Sequence, residues 1–222
     1  MVVKLYGLHW STCTEVVITV LKELGVPYEF EVVNLSAGDN RKPEYIENLH
    51  PFGQIPVLVD EDGFKIFESR AIARYLIAKY GPNSGLIPKD LKKNALFEQA
   101  MSIENNDFAP PAGGLAGEKY FKPMLGLQPS EETAAEHEST LEKNLQAYER
   151  ILSKQKYLAG DELTLADLLH LPNGSIITDR VGFKGLKATP NVARWWKDIS
   201  SRESWKSVEA NAQAFLAKAL AL

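Results

Sequence analysis

From Val2 to Tyr6 the chain reads as a short strand. The next apolar group, Val16, Val17, Val20, Leu21 and Leu24, recurs at helical spacing until Gly25, a helix stop. Tyr28 to Leu35 reads as a second strand. Pro43 to Leu49 is a short helical piece, and Val57 to Val59 and Lys65 to Phe67 are short strands around the turn Asp60 to Gly63. Ser69 to Tyr80 follows as a helix that stops at Gly81-Pro82. The predicted order is βαβ, then αββα.

Gly81 to Pro88 is rich in Gly, Pro, Asn and Ser, the composition of a linker between compact units. Beyond it the pattern is helical: Leu91 to Phe108, Glu131 to Leu152, Thr164 to Leu171, Val192 to Ser201 and Val208 to Ala221. Pro110-Pro111 with Gly113-Gly114, and the stretch from Pro123 to Pro129, are expected to interrupt helices as bends or loops. The expected fold is an α/β domain over residues 1–82 followed by an all-α domain over residues 90–222.

The 222 residues carry 25 Lys and Arg against 29 Asp and Glu, a net charge of −4, so no basic footprint for nucleic acid is present. The lone cysteine, Cys13, excludes a disulfide framework within the chain and points to a reducing, cytoplasmic setting. No apolar run reaches the ~18 residues of a membrane span, and the N-terminus is too short for a signal h-region of ~7 to 15. Two glycosylation sequons, at Asn34 and Asn173, are read as chance matches.

Neither G-x-G-x-x-G nor a P-loop occurs, which removes the backbone cradles for dinucleotides and nucleoside triphosphates. His9, His50, His137 and His170 lack paired metal spacing, so no metal is assigned.

Three segments carry candidate chemistry. His9 to Glu15 leaves the first strand and opens the first helix. Thr12-x-x-Glu15 fits a capping box, while a hydroxyl at a helix N-terminus also sits where amides and the macrodipole favour a carboxylate or thiolate. In His50 to Val57, Pro56 is a candidate cis-proline that would expose the Ile55 backbone to a peptide-like ligand, against the alternative of a plain tight turn. In Phe67 to Ile72, Ser69 is either an ordinary N-cap or, with Glu68, one half of an amino-acid clamp: carboxylate for ammonium, helix start for carboxylate. Thr164-x-x-Asp167 is a second capping box with a structural role, for which a loss of ~0.5 to 2 kcal/mol is expected without Asp167. Trp195 and Trp196 are read as core.

With these segments in view, the chain resembles the cytosolic glutathione transferases, most closely the phi class of plants and fungi. The matching stretches are Tyr6-Gly7 with Ser11-Thr12, Pro51 to Pro56, Glu68 to Ile72, Phe121 to Met124, Tyr157 to Asp161, Leu165 to Leu168 with His170 to Pro172, and Trp195-Trp196. The resemblance implies a thioredoxin-like N-terminal domain, an all-helical C-terminal domain, a homodimer and a role in detoxification. It implies glutathione as co-substrate, with Ser11 donating a hydrogen bond to its sulfur. Gln54, Ile55 and Pro56 would hold the cysteinyl and glycyl portions, and Glu68 with Ser69 the γ-glutamyl end. Asn40 and Arg41 fall where many relatives carry a His-Lys pair that reaches the glycyl carboxylate; Val16 stands where many carry an Arg.

A free thiol with a pKa near ~8.5 is only a few per cent thiolate at neutral pH, and lowering that pKa by ~2 units corresponds to about 2.7 kcal/mol. One hydroxyl donor and a helix N-terminus supply this order of magnitude. The thiolate then attacks a small hydrophobic electrophile or a hydroperoxide, with the second substrate expected between the domains near Trp10, Leu35, Phe108 and Phe121. Two other readings stay open: a thiol transferase working through Cys13, and a non-catalytic carrier of hydrophobic ligands.

Overall fold

The computed structural model describes the backbone of residues 2–220 and the side chains of residues 2–216. They fall into two compact units: residues up to Ser84 together with the last helix, and Gly85–Arg202.

The first unit runs β1 (Val3–Gly7), α1 (Thr12–Glu23), β2 (Tyr28–Val32), a 3₁₀ turn (Asp39–Arg41), α2 (Pro43–Asn48), β3 (Val57–Val59), β4 (Lys65–Phe67) and α3 (Ser69–Tyr80). The sheet order is β2-β1-β3-β4, parallel between β1 and β2 and antiparallel elsewhere. Val3, Leu5 and Gly7 alternate onto the buried face of β1, as a strand of period two requires. β2 stops at Val32 rather than Leu35 because its partner β1 ends at Gly7; the Val33 amide makes one further bond, to the Gly7 carbonyl at 2.8 Å. Asp60, buried in the β3–β4 turn, accepts from Lys79 and from the hydroxyls of Tyr75 and Tyr80, which ties the turn to the end of α3.

The second unit contains α4 (Leu91–Ile103), α5 (Ala109–Ala116), α6 (Lys122–Met124), α7 (Glu131–Leu152), α8 (Leu165–Leu168), α9 (Leu171–Ser175) and α10 (Pro190–Ser200). Its expected breaks at Pro110-Pro111 and Gly113-Gly114 are helical. The prolines occupy the first turn of α5, where their missing N–H groups are not needed, and the π-helical turn Glu104–Phe108 leads into it. Leu141, Leu145, Tyr148 and Leu152 form the buried stripe of α7.

The capping box at Thr164 and Asp167 is present. Asp167 is fully buried and accepts from Leu158 N (3.1 Å), Thr164 N (2.9 Å), Thr164 Oγ1 (3.0 Å) and Trp195 Nε1 (2.9 Å). Trp195 and Trp196 are both core.

The last helix, α11 (Glu203–Leu220), groups with the first unit and not with the helical unit to which its pattern assigned it. It packs on α1, with Trp205, Val208 and Ala212 as its buried stripe. The expected helix end at Ala221 lies outside the described residues.

Candidate functional site

Sheet register brings the three candidate segments of the first unit to one place. Tyr6 pairs with Val57, and Val57 pairs with Phe67. The chain leaving β1 through His9 and Trp10 to Ser11, the chain entering β3 through Gln54, Ile55 and Pro56, and the chain leaving β4 into Glu68 and Ser69 therefore share one end of the sheet. Leu35, following β2, emerges there too, because Gly7 is paired with Val32.

At the first corner the Ser11 amide donates to Leu8 O (2.9 Å), and Ser11 itself is the extended N-cap of α1 (φ −82°, ψ 121°). Its carbonyl accepts from Glu15 N at 2.8 Å, while its hydroxyl makes no capping bond. The capping box expected at Thr12 and Glu15 is not formed: Thr12 is the first helical residue, and the Glu15 carboxyl is buried. Burial, and then the charge of Glu209 on α11, push that carboxyl up to about 8. The helix start can lie this close to β1 because residue 7 is glycine; a Cβ there would come within 2.6 Å of Thr14 Cγ2. His9 stacks on Phe30, with ring centroids 4.0 Å apart, and burial pushes its imidazole below the ordinary range. Cys13 is exposed in the first turn of α1.

At the second corner the Ile55–Pro56 peptide is cis, the first of the two alternatives left open by the sequence. Gly53 has φ +62°, and a Cβ on it would meet Asn40 O at 2.8 Å. Asn40 Nδ2 donates to Gly53 O (2.6 Å), and Tyr45 Oη donates to the adjacent Gln54 O (2.8 Å). Gln54 and Arg41 are exposed, Asn40 half-buried.

At the third corner Glu68 is the N-cap of α3 and the sole described non-glycine residue with positive φ (72°, ψ 108°). Such a backbone costs of order 1–3 kcal/mol and persists only where its surroundings hold it. Glu68 is exposed; Ser69, the first helical residue, is buried beside it.

The four apolar candidates divide. Trp10 is half-buried and Leu35 exposed in the first unit, and Phe121 is half-buried in the second. Phe108 is 1% exposed, within the core of the second unit, its ring 4.5 Å from His170. A residue so enclosed packs rather than contacts a substrate.

No pattern in the sequence points to Tyr45, since a tyrosine in a short helix gives no hint of which carbonyl its hydroxyl meets. Among the described residues no cluster of three His, Cys, Asp or Glu side chains suits a metal, and no helix is long and apolar enough to cross a membrane.

A four-stranded mixed sheet with a helix N-terminus, a cis-proline and an acidic N-cap at one end, joined to an all-helical unit, defines a thioredoxin-like architecture with a helical second unit. Residues 1–78 match the glutathione S-transferase N-terminal domain and residues 92–203 the glutathione S-transferase C-terminal domain. Glutathione S-transferase PM239X14 from Arabidopsis thaliana is 52% identical over 196 residues, covering 87% of this chain and 89% of its own. Glutathione transferase F2 from Populus trichocarpa superposes with a TM-score of 0.90 at 36% identity over 96% of this chain and 99% of its own. Glutathione S-transferase I from Mais, solved with an atrazine glutathione conjugate, superposes with a TM-score of 0.89 at 33% identity, over 96% and 99%. The chain belongs to the glutathione S-transferase family and is most like its phi class.

Proposed function

We propose that this glutathione transferase is of the serine type, with the Ser11 hydroxyl donating to the sulfur of bound glutathione and stabilising its thiolate. The observation that carries this reading is the Tyr6–Val57–Phe67 register, which sets the ends of three segments side by side. Its second support is a Ser11 hydroxyl with no capping duty at a helix whose N-terminus favours an anion. In this reading the Gln54 side chain with Ile55 and Pro56 holds the tripeptide backbone. Glu68 takes the γ-glutamyl ammonium, Ser69 at the start of α3 takes the γ-glutamyl carboxylate, and Arg41 takes the glycyl carboxylate.

The chemistry needs no proton acceptor at Ser11. The thiol proton passes to solvent, and the O–H stays a donor to the anion. With an aryl halide, a carbon–sulfur bond forms and the halide leaves with its electron pair. With a hydroperoxide, the thiolate takes the terminal oxygen, the O–O bond breaks and an alcohol departs after taking a proton. A second glutathione then converts the sulfenic acid to glutathione disulfide and water. Trp10, half-buried, and Leu35, exposed, offer apolar surface to the electrophile on the first unit.

Ultraviolet titration of glutathione bound to the protein tests this reading. The bound sulfur is expected to ionise about 1 to 2 pH units below the free thiol, and Ser11→Ala is expected to return most of that difference. A bound sulfur that titrates like free glutathione overturns the proposal.

A further inference from the structure

We propose that Asn40 and Tyr45 are positioning residues that act on glutathione through the Gly53-Gln54-Ile55 strip and do not touch it themselves. The inference rests on the glutathione site described above and changes the role that family resemblance implies for position 40.

The two side chains hold consecutive carbonyls. Asn40 Nδ2 donates to Gly53 O at 2.6 Å, and Tyr45 Oη donates to Gln54 O at 2.8 Å. Fixing two successive carbonyls fixes the peptide planes on either side of Gln54, and with them the direction of the Gln54 side chain and of the Ile55 amide. Gly53 lies in the left-handed region, where a glycine has few steric restraints, so the two side-chain bonds add to the one from its own amide to His50 O (2.9 Å) in holding the strip. The anchors themselves are rigid. Tyr45 is 7% exposed and belongs to a cluster with Val33 and Val57, and burial pushes its phenol up to about 12, so it remains a donor. Asn40 belongs to the 3₁₀ turn, whose carbonyl at residue 40 abuts Gly53 so closely that no Cβ fits between them.

The chemistry of Asn40 also makes it a weaker partner for a carboxylate than its neighbour Arg41. The bond to Gly53 O fixes which end of the amide is nitrogen, so the other end is an oxygen. That Oδ1 is buried and has no hydrogen-bond partner. With one Nδ2 hydrogen committed to Gly53 O and Oδ1 an acceptor, Asn40 is left with a single neutral N–H, whereas Arg41, exposed on the same turn, offers a charged fork to the glycyl carboxylate.

Steady-state kinetics with two thiols, glutathione and γ-glutamylcysteine, separates positioning from contact, since the second lacks the glycyl residue. At saturating aryl halide, Asn40→Ala and Tyr45→Phe are each expected to raise KM for both thiols by the same factor, about three- to thirtyfold, with kcat held within about twofold. A rise confined to glutathione in Asn40→Ala shows a glycyl contact and overturns the proposal. Unchanged KM for both thiols, with only a lower melting temperature, also overturns it by making the bonds merely structural. Tyr45→Phe keeps the ring volume and tests the Gln54 O bond separately, and Asn40→Ser repeats the two-thiol comparison if Asn40→Ala does not fold. Failure of the glutathione-site reading is seen separately, as the absence of saturable glutathione binding in the unsubstituted protein.

Discussion

The amide of Glu15 donates to the carbonyl of Ser11 at 2.8 Å, which sets a buried carboxyl one turn of α1 beyond the hydroxyl proposed for catalysis. Both residues belong to the short sequence that reads as a helix cap, but they divide its work. Ser11 supplies the cap through its backbone; Glu15 faces α11, where Glu209 opposes its charge.

That burial makes stability depend on pH. Folded Glu15 holds its proton up to about 8, against 4.5 for its ordinary value. Between those values the folded state binds more protons than the unfolded one, so stability is full below the lower value and declines as pH rises towards the higher one. Glu15→Gln, neutral throughout, is expected to remove the decline and to add about 2 kcal/mol or more at the alkaline end, with little effect in acid. Thermal melts of both proteins across that range check it; parallel curves would refute a buried neutral carboxyl.

Cys13 and Ser11 lie in the same helix start and compete for the chemistry. Cys13→Ala is expected to leave conjugation of an aryl halide within about twofold, because the proposed donor to the sulfur is the Ser11 hydroxyl and the exposed Cys13 thiol has no part in that contact. Ser11→Ala is expected to lower kcat/KM about ten- to a hundredfold, the value of one hydrogen bond to an anion. Activity lost with Cys13 and retained without Ser11 would reverse the assignment in favour of a thiol transferase.

The positive φ of Glu68, together with its proposed contact with glutathione, sets stability against binding. Glu68→Gly is expected to relieve the strained backbone, offset in part by the greater freedom of glycine when unfolded, for a net gain of about 1 kcal/mol in denaturant titrations. KM for glutathione should rise at the same time, since the proposed partner of the γ-glutamyl ammonium is gone. A variant both less stable and unchanged in KM would contradict both roles.

Asp167 gathers four donors, and the cap value expected from the sequence underestimates it. Asp167→Ala leaves the Trp195 indole and the amides of Leu158 and Thr164 buried without an acceptor. At about 1 to 3 kcal/mol for each unsatisfied donor, a loss of about 3 kcal/mol or more is expected, visible as a lower unfolding midpoint. Glutathione KM in the protein that remains folded should be unaltered.

Periodicity and punctuation along the chain determine the order of strands and helices in the first unit, the composition break from Gly81 to Pro88 and the cap at Thr164, and they narrow the turn before β3 to two choices. Each of these arises from local sterics or from local hydrogen bonding. The family motifs likewise make the three site segments legible as segments, because their residues are close in sequence. Only tertiary structure decides that Tyr6, Val57 and Phe67 share one row, that α11 returns to α1, and that Glu15 is enclosed. It also decides which carbonyls Asn40 and Tyr45 meet. These depend on residues distant in sequence packing face to face, and neither the register of a sheet nor the burial of a carboxyl is encoded in the neighbours along the chain.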